Sequence, residues 1–238
     1  DALQPLPDDP TAPFRRRLAE KDKARVDELE KQIGGLRVKA EFEEAIPLAV
    51  EVASIRKRAQ GPDHWETTDA AKGVEMLRSF STLPKDAQAT LAEADAAGIK
   101  LTQSFAEGRF KEATDLAQTQ FVLRRKVLGD RHVALIEALH NVGATLLFTE
   151  EYDLAEAAYR TALSFCREYF PPDHPMTALT EASLAGPLIR KRSYEAADCL
   201  FRKALLPLRK ILGDNDPQVA DLLNNYALLL ADRGDLAG

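Results

Sequence analysis

Cysteine is nearly missing from this chain: Cys166 and Cys199 are the only two in 238 residues. Two thiols build neither a disulfide framework nor a metal quartet. Each sits in an amphipathic helical pattern, so both are read as small buried hydrophobes. Long apolar runs are absent as well, and nothing approaches the roughly 18 residues that a bilayer-spanning helix requires. No membrane partner is expected. Positive charge is in deficit: the net charge of −6 and pI near 5.4 would repel a phosphate backbone, so nucleic acid is not an expected partner. The local basic runs Arg15–Arg17, Arg124–Lys126 and Arg190–Arg192 read as solvated helix faces. Catalytic signatures are lacking too. There is no G-x-S-x-G, no P-loop and no H-E-x-x-H, and neither cysteine has a histidine near it in sequence. The chain is therefore read as no enzyme, with no catalytic residue, no cofactor and no metal. It begins with Asp1 rather than Met; the expectation is that a leader or upstream segment is missing, with a cytoplasmic location expected and export left open.

What the sequence does contain is a period. The stretches EGRFKEATDLA, EEYDLAEAAYRTAL and KRSYEAADCLFRKAL align with their aromatic anchors Phe110, Tyr152 and Tyr194 at steps of 42 residues, and the next step lands on Leu236. The same offset joins Ala113, Ala155 and Ala197. It also joins LGDRHVA, FPPDHPM and LGDNDPQVA. A degenerate earlier copy places Phe42 and Ala45 in the same relation to Gly61 and His64. Periods of this length mean stacked supersecondary units.

Within each unit apolar residues recur at spacings of three and four, which argues for helices. Leu154, Ala157, Ala158, Ala162 and Phe165 are expected to mark one buried face. Asp216 followed by Pro217 reads as an N-cap with proline in the first helical position. Pro187, inside a first helix, should kink or shorten it by deleting the bond to the Ser183 carbonyl. Each unit is then two antiparallel helices joined at the aromatic anchor, and such pairs must stack to bury their apolar faces. The chain divides into a flexible segment 1–11; an N-terminal helix plus degenerate first repeat, 12–79; an inserted helical segment, 80–104; and a regular array, 105–238, that stops as a further repeat opens. The N-terminal helix is expected from Thr11 to about Gln32.

The phrase NVG…EYDLAEAAYRTAL, with Gly143, Ala155 and Ala162 where two helices would cross and Ala185, Ala197 and Ala204 one period on, resembles the tetratricopeptide repeat. The 42-residue period and the LGD..P linker resemble its kinesin light chain type, widespread forms of which are bacterial. The resemblance implies an all-α, right-handed superhelical α-solenoid of stacked antiparallel helix pairs. It also implies a role as a protein–protein interaction scaffold that holds a peptide or protein in a concave groove lined by first helices. The alternative is the regulatory or sensor arm of a larger enzyme, such as a CHAT-type caspase-like protease or a kinase.

By register, the groove would be lined by Glu137, His140 and Asn141, then Leu179 and Ser183, then Asp221, Asn224, Asn225 and Leu228. Asn141 and Asn225 stand two periods apart, and an amide can both donate to and accept from a peptide backbone. The lysines and arginines needed to grip a carboxylate are missing from these positions, so the expected partner is a protein or peptide of neutral to mildly basic character. His64, His132 and His174 share a register too far apart for one metal ion and are read as caps. The last helix is expected to leave Leu222, Leu223, Leu229 and Leu230 open, a surface for self-association.

Overall fold

The computed structural model of the chain describes residues 13–234. Within them a short 3-10 turn, Pro13–Arg15, precedes ten helices: α1 (Glu20–Val38), α2 (Phe42–Gln60), α3 (Trp65–Ser81), α4 (Lys85–Ala106), α5 (Phe110–Leu128), α6 (Leu135–Phe148), α7 (Tyr152–Tyr169), α8 (Pro175–Arg190), α9 (Tyr194–Leu212) and α10 (Pro217–Arg233). The fold is an all-α solenoid of stacked antiparallel pairs. Successive helices pack on one another from α4 through α10. The segment expected to be flexible, 1–11, lies outside the described residues, as does Leu236. The N-terminal helix starts at Glu20, later than the sequence suggests, and runs on to Val38.

The period has a backbone signature. Gly108, Glu150, Arg192 and Gly234 all have positive φ, at 75°, 65°, 60° and 83°, and stand 42 residues apart. Each closes the C-terminus of a first helix. The amide two residues beyond the turn's start returns to the last helical turn, as in Arg109 to Ser104, Glu151 to Leu146 and Ser193 to Leu188. Only a left-handed residue lets the chain double back this tightly. Each second helix then begins at its aromatic anchor, Phe110, Tyr152 or Tyr194.

Small residues sit where helices cross. Ala155, Ala162, Ala185, Ala197 and Ala204 are fully buried. At Gly143 a Cβ would fall 2.8 Å from the Tyr159 ring, so glycine is what lets α6 and α7 meet at that point. The buried face of α7 is Ala155, Ala158, Tyr159, Ala162, Leu163, Phe165 and Cys166. Leu154 and Ala157 were expected on it but are exposed, Leu154 at 55%. The 3.6-residue turn carries them past the edge of the contact with α6 and α8. Cys199 is likewise exposed rather than buried, whereas Cys166 is enclosed.

Pro187 lies inside α8, and the helix continues through it to Arg190. Only one hydrogen bond is lost so near the end, and burial of Pro187 and Leu188 holds the last turn. The α10 leucines also differ from expectation: Leu222 and Leu229 are buried against α9 with Val219 and Tyr226, and Leu223 and Leu230 are partly covered. Spacings of three and four put these side chains on the face that meets the preceding helix.

The N-terminal helices do not add a plain first repeat. Helix α4, expected as an insert, pairs with α5 across the Glu107–Arg109 turn and forms the first helix of that unit, while α1 packs beside α4. Helix α3 crosses the linkers that join one unit to the next. Its C-terminal Phe80 lies against the ring of His132, with centroids 6.2 Å apart. Closer to its N-terminus, Lys72 reaches the Tyr169 carbonyl and the Phe170 ring, and Trp65 meets His174 edge-on. Further out, Arg17 donates to the Leu212 carbonyl. Three register-related linkers are thus touched in order by one N-terminal layer.

The capping role of the histidines is visible in the bonds. Nδ1 of His64, His132 and His174 accepts the backbone N–H two residues on, at 3.3, 3.1 and 3.2 Å. With Nδ1 accepting, Nε2 carries the proton and is left to meet other segments. It meets the Pro13 carbonyl from His64 and Asp69 from His174. Asp216, one period beyond His174, caps α10 through its carboxylate.

Candidate binding groove

The first helices α6, α8 and α10 present one face to a shared depression of about 590 Å³. That is within the range of small-ligand and side-chain pockets. Leu147 and Phe148 come from α6, Ser183, Gly186, Ile189 and Arg190 from α8, and Asn225, Leu228 and Asp232 from α10. Gly186 permits the close passage, since a Cβ there would meet Leu147 at 3.1 Å. Phe148 and Leu228, both in its lining, are 52% and 57% exposed.

The rim follows the period. Phe148 stacks on Phe110 at 4.7 Å and meets Phe105 edge-on. One unit later Arg190 sits 5.5 Å over the ring of Tyr152, its Nε donating to the hydroxyl. Helices α6 and α8 therefore each end on the aromatic anchor of the preceding second helix. Register-related positions in the neighbouring units are Ala106 and Asp232, and the stacking accounts for Phe148 and Arg190 in their place.

The register residues divide into three groups. Ser183, Asn225 and Leu228 line the same depression. Asp221 and Asn224 are exposed on α10, on or next to the same stripe. The others are occupied by the fold. Asn141 donates to the side-chain oxygen of buried Gln120 at 2.9 Å. His140 lies 2.7 Å from the Thr180 hydroxyl and edge-on to Tyr159, and burial pushes its pKa down to about 4, so it is a neutral packing group. Leu179 packs on the core of α8, α9 and α10. Glu137 faces a separate hollow, where it pairs with Arg124.

The difference between Asn141 and Asn225 lies in their partners. Gln120 is followed at 42-residue steps by Ala162 and Ala204, while Asn141 is followed by Ser183 and Asn225. Asn141 has the Gln120 amide as its partner, whereas the position that corresponds to Gln120 for Asn225 is Ala204, which has no polar side chain. The Asn225 amide stays available to a ligand.

Arg124 belongs to a run expected to be solvated, yet its side chain is 5% exposed. It donates to the carbonyl of Ala134, to Glu137 at 2.8 Å and to Asp95 at 2.8 Å, and Arg37 grips Asp95 from the other side. Such an alternating chain neutralises itself. The crevice of about 330 Å³ between α1, α2 and α3 behaves alike, because Arg56 there pairs with Glu30 and Glu66. The groove over α8 and α10 keeps polar groups without partners.

Residues 103–168 match the family model described as tetratricopeptide repeat. Over that stretch, under a third of the chain, the sequence is similar to tetratricopeptide repeats. Over 137 residues the chain is 26% identical to tetratricopeptide repeat protein 19, mitochondrial, from Mus musculus, and equally to that of Rattus norvegicus. Each alignment takes in 58% of this chain and 36% of the relative, so the chain spans about a third of the relatives' length. Among solved structures, BtubC (BKLC) from P. vanneervenii superposes with a TM-score of 0.57 at 12% identity, over 91% of this chain and 86% of that one. At that identity the likeness is one of fold. Among the described residues no helix is long and apolar enough to cross a membrane, and no group of three or more histidine, cysteine or acidic residues is placed to hold a metal ion.

Proposed function

We propose that the chain is a non-enzymatic interaction scaffold that binds a peptide or protein partner in the concave groove over α6, α8 and α10. One observation carries the reading: three successive first helices converge on one open depression that combines exposed Phe148 and Leu228 with the unpartnered amide of Asn225. Apolar anchors supply affinity and an amide supplies backbone register. Repeats of this kind generally serve protein binding, and a stacked array suits that use because its units form one continuous surface.

Affinity capture from the source cell tests it. The parent chain should retain a partner that an Asn225→Ala, Leu228→Arg variant loses, with helical circular dichroism unchanged. Equal capture by both chains would move the binding surface elsewhere and overturn the proposal.

A further inference from the structure

Resting on that reading, the chemistry of the groove selects among partners. The inner stripe of α10 reads Asp221, Asn225, Leu228, Asp232, at steps of four, three and four that keep all of them on one helix face. All four are exposed. Among the described residues no cation pairs with Asp221 or Asp232. Acceptors also dominate across the gap on α8. Pro187 has no N–H, so the carbonyl of Ser183, a residue lining the depression, lacks its helical donor. The one cation in the lining, Arg190, lies over the Tyr152 ring of the preceding unit with its Nε donating to the hydroxyl, and the carboxylates of Asp221 and Asp232 together outnumber it. Beneath these acceptors the walls are apolar: Leu147, Phe148, Ile189 and Leu228.

From this we infer that the α8–α10 end of the groove receives a polypeptide segment carrying a large apolar side chain next to a lysine or arginine. The apolar group enters between Phe148, Ile189 and Leu228. The cation meets the Asp232 carboxylate at the rim, within reach of the Ser183 carbonyl side of the gap. Acidic segments are disfavoured, because the two unpaired carboxylates of α10, Asp221 and Asp232, outnumber the one cation of the lining and would repel a third.

The test is fluorescence anisotropy on the full 238-residue chain with three labelled, acetylated peptides. One carries leucine flanked by arginine and lysine; the second replaces both cations with glutamate; the third replaces leucine with serine. The basic–apolar peptide should bind roughly tenfold more tightly than either control and weaken as salt rises. Asp232→Asn should weaken it about fivefold, whereas Asp115→Asn, the same charge change on the exposed surface of α5, should not. Equal or tighter binding of the acidic peptide would overturn the inference, as would an Asp232→Asn variant that binds unchanged. Binding that ignores peptide charge yet disappears in Leu228→Arg would sink this inference and leave the groove reading intact. Failure of all three peptides to bind at about 1 mM would also overturn it, and lysate capture then judges the groove reading separately.

Discussion

The Nε2 of His174 lies 3.1 Å from the Oδ2 of Asp69, a residue 105 positions earlier. This contact ties α3 to the linker between α7 and α8, and Trp65 and Lys72 flank it. The N-terminal layer thereby fixes how consecutive units sit on one another. Asp69→Ala with Lys72→Ala should loosen the linker without unfolding the array. Hydrogen exchange of the bonded amides of Phe170, His174 and Met176 should rise about fivefold, equivalent to roughly 1 kcal/mol of lost local protection. Unchanged exchange would show that the layer does not restrain the linker.

Asn141 and Asn225 should behave oppositely on substitution. Asn141→Ala strands the buried Gln120 amide and should cost roughly 1–3 kcal/mol in urea unfolding. Asn225→Ala removes an exposed group and should leave the midpoint within about 0.5 kcal/mol of the parent. Similar losses for the two would contradict the partner assignment.

Arg124 is the keystone of the α4–α5–α6 ion network. Of its two acids, Glu137 is 64% exposed and contributes little, while Asp95 is 10% exposed and carries most of the effect. Arg124→Ala should therefore destabilise by roughly 3 kcal/mol, and Glu137→Gln by less than about 1 kcal/mol. Paired denaturation curves decide it.

Arg192 holds a left-handed turn with φ of 60° where register-related Gly108 and Gly234 do so without a Cβ. Arg192→Gly removes the steric cost and adds unfolded-state entropy, for a net gain of about 0.5–1 kcal/mol. Thermal unfolding should shift upward by a degree or more. A fall would mean that the arginine side chain contributes more than its backbone costs.

Acid should weaken the fold through His140. Its folded pKa, held at about 4 by burial, lies below the ordinary 6.5, so the folded state binds fewer protons. Stability is therefore complete above about pH 6.5 and falls as the pH drops toward 4, by up to about 3 kcal/mol. Burial also lowers the pKa of His64 and His132, which adds slope of the same sign. His140→Gln should flatten the profile between pH 6.5 and 4.5, and an unaltered slope would assign the effect elsewhere.

Periodicity made the array legible before any coordinate: the 42-residue step, the small residues at the crossings and the anchors at Phe110, Tyr152 and Tyr194 all follow from local pattern. What it left hidden depended on contacts between distant segments. The N-terminal layer is one such case, because nothing in the wording around Trp65 or Asp69 announces a partner 105 residues away. Arg124 is another, since a buried arginine looks like a solvated one until Asp95 is placed beside it. The site was half legible. Register nominated Ser183, Asn225 and Leu228, which line the depression, and also Asn141 and His140, which the fold consumes. Comparing positions 120, 162 and 204 across the period would have separated Asn141 from Asn225.

The most direct test of the groove is to map where a captured partner touches the chain, by chemical-shift perturbation of backbone amides at saturating ligand. The account predicts the largest shifts at Ser183, Gly186, Asn225 and Leu228, with little change on the exposed surfaces of α5, α7 and α9. Shifts centred on those outer helices, or on α3 and its linkers, would contradict it.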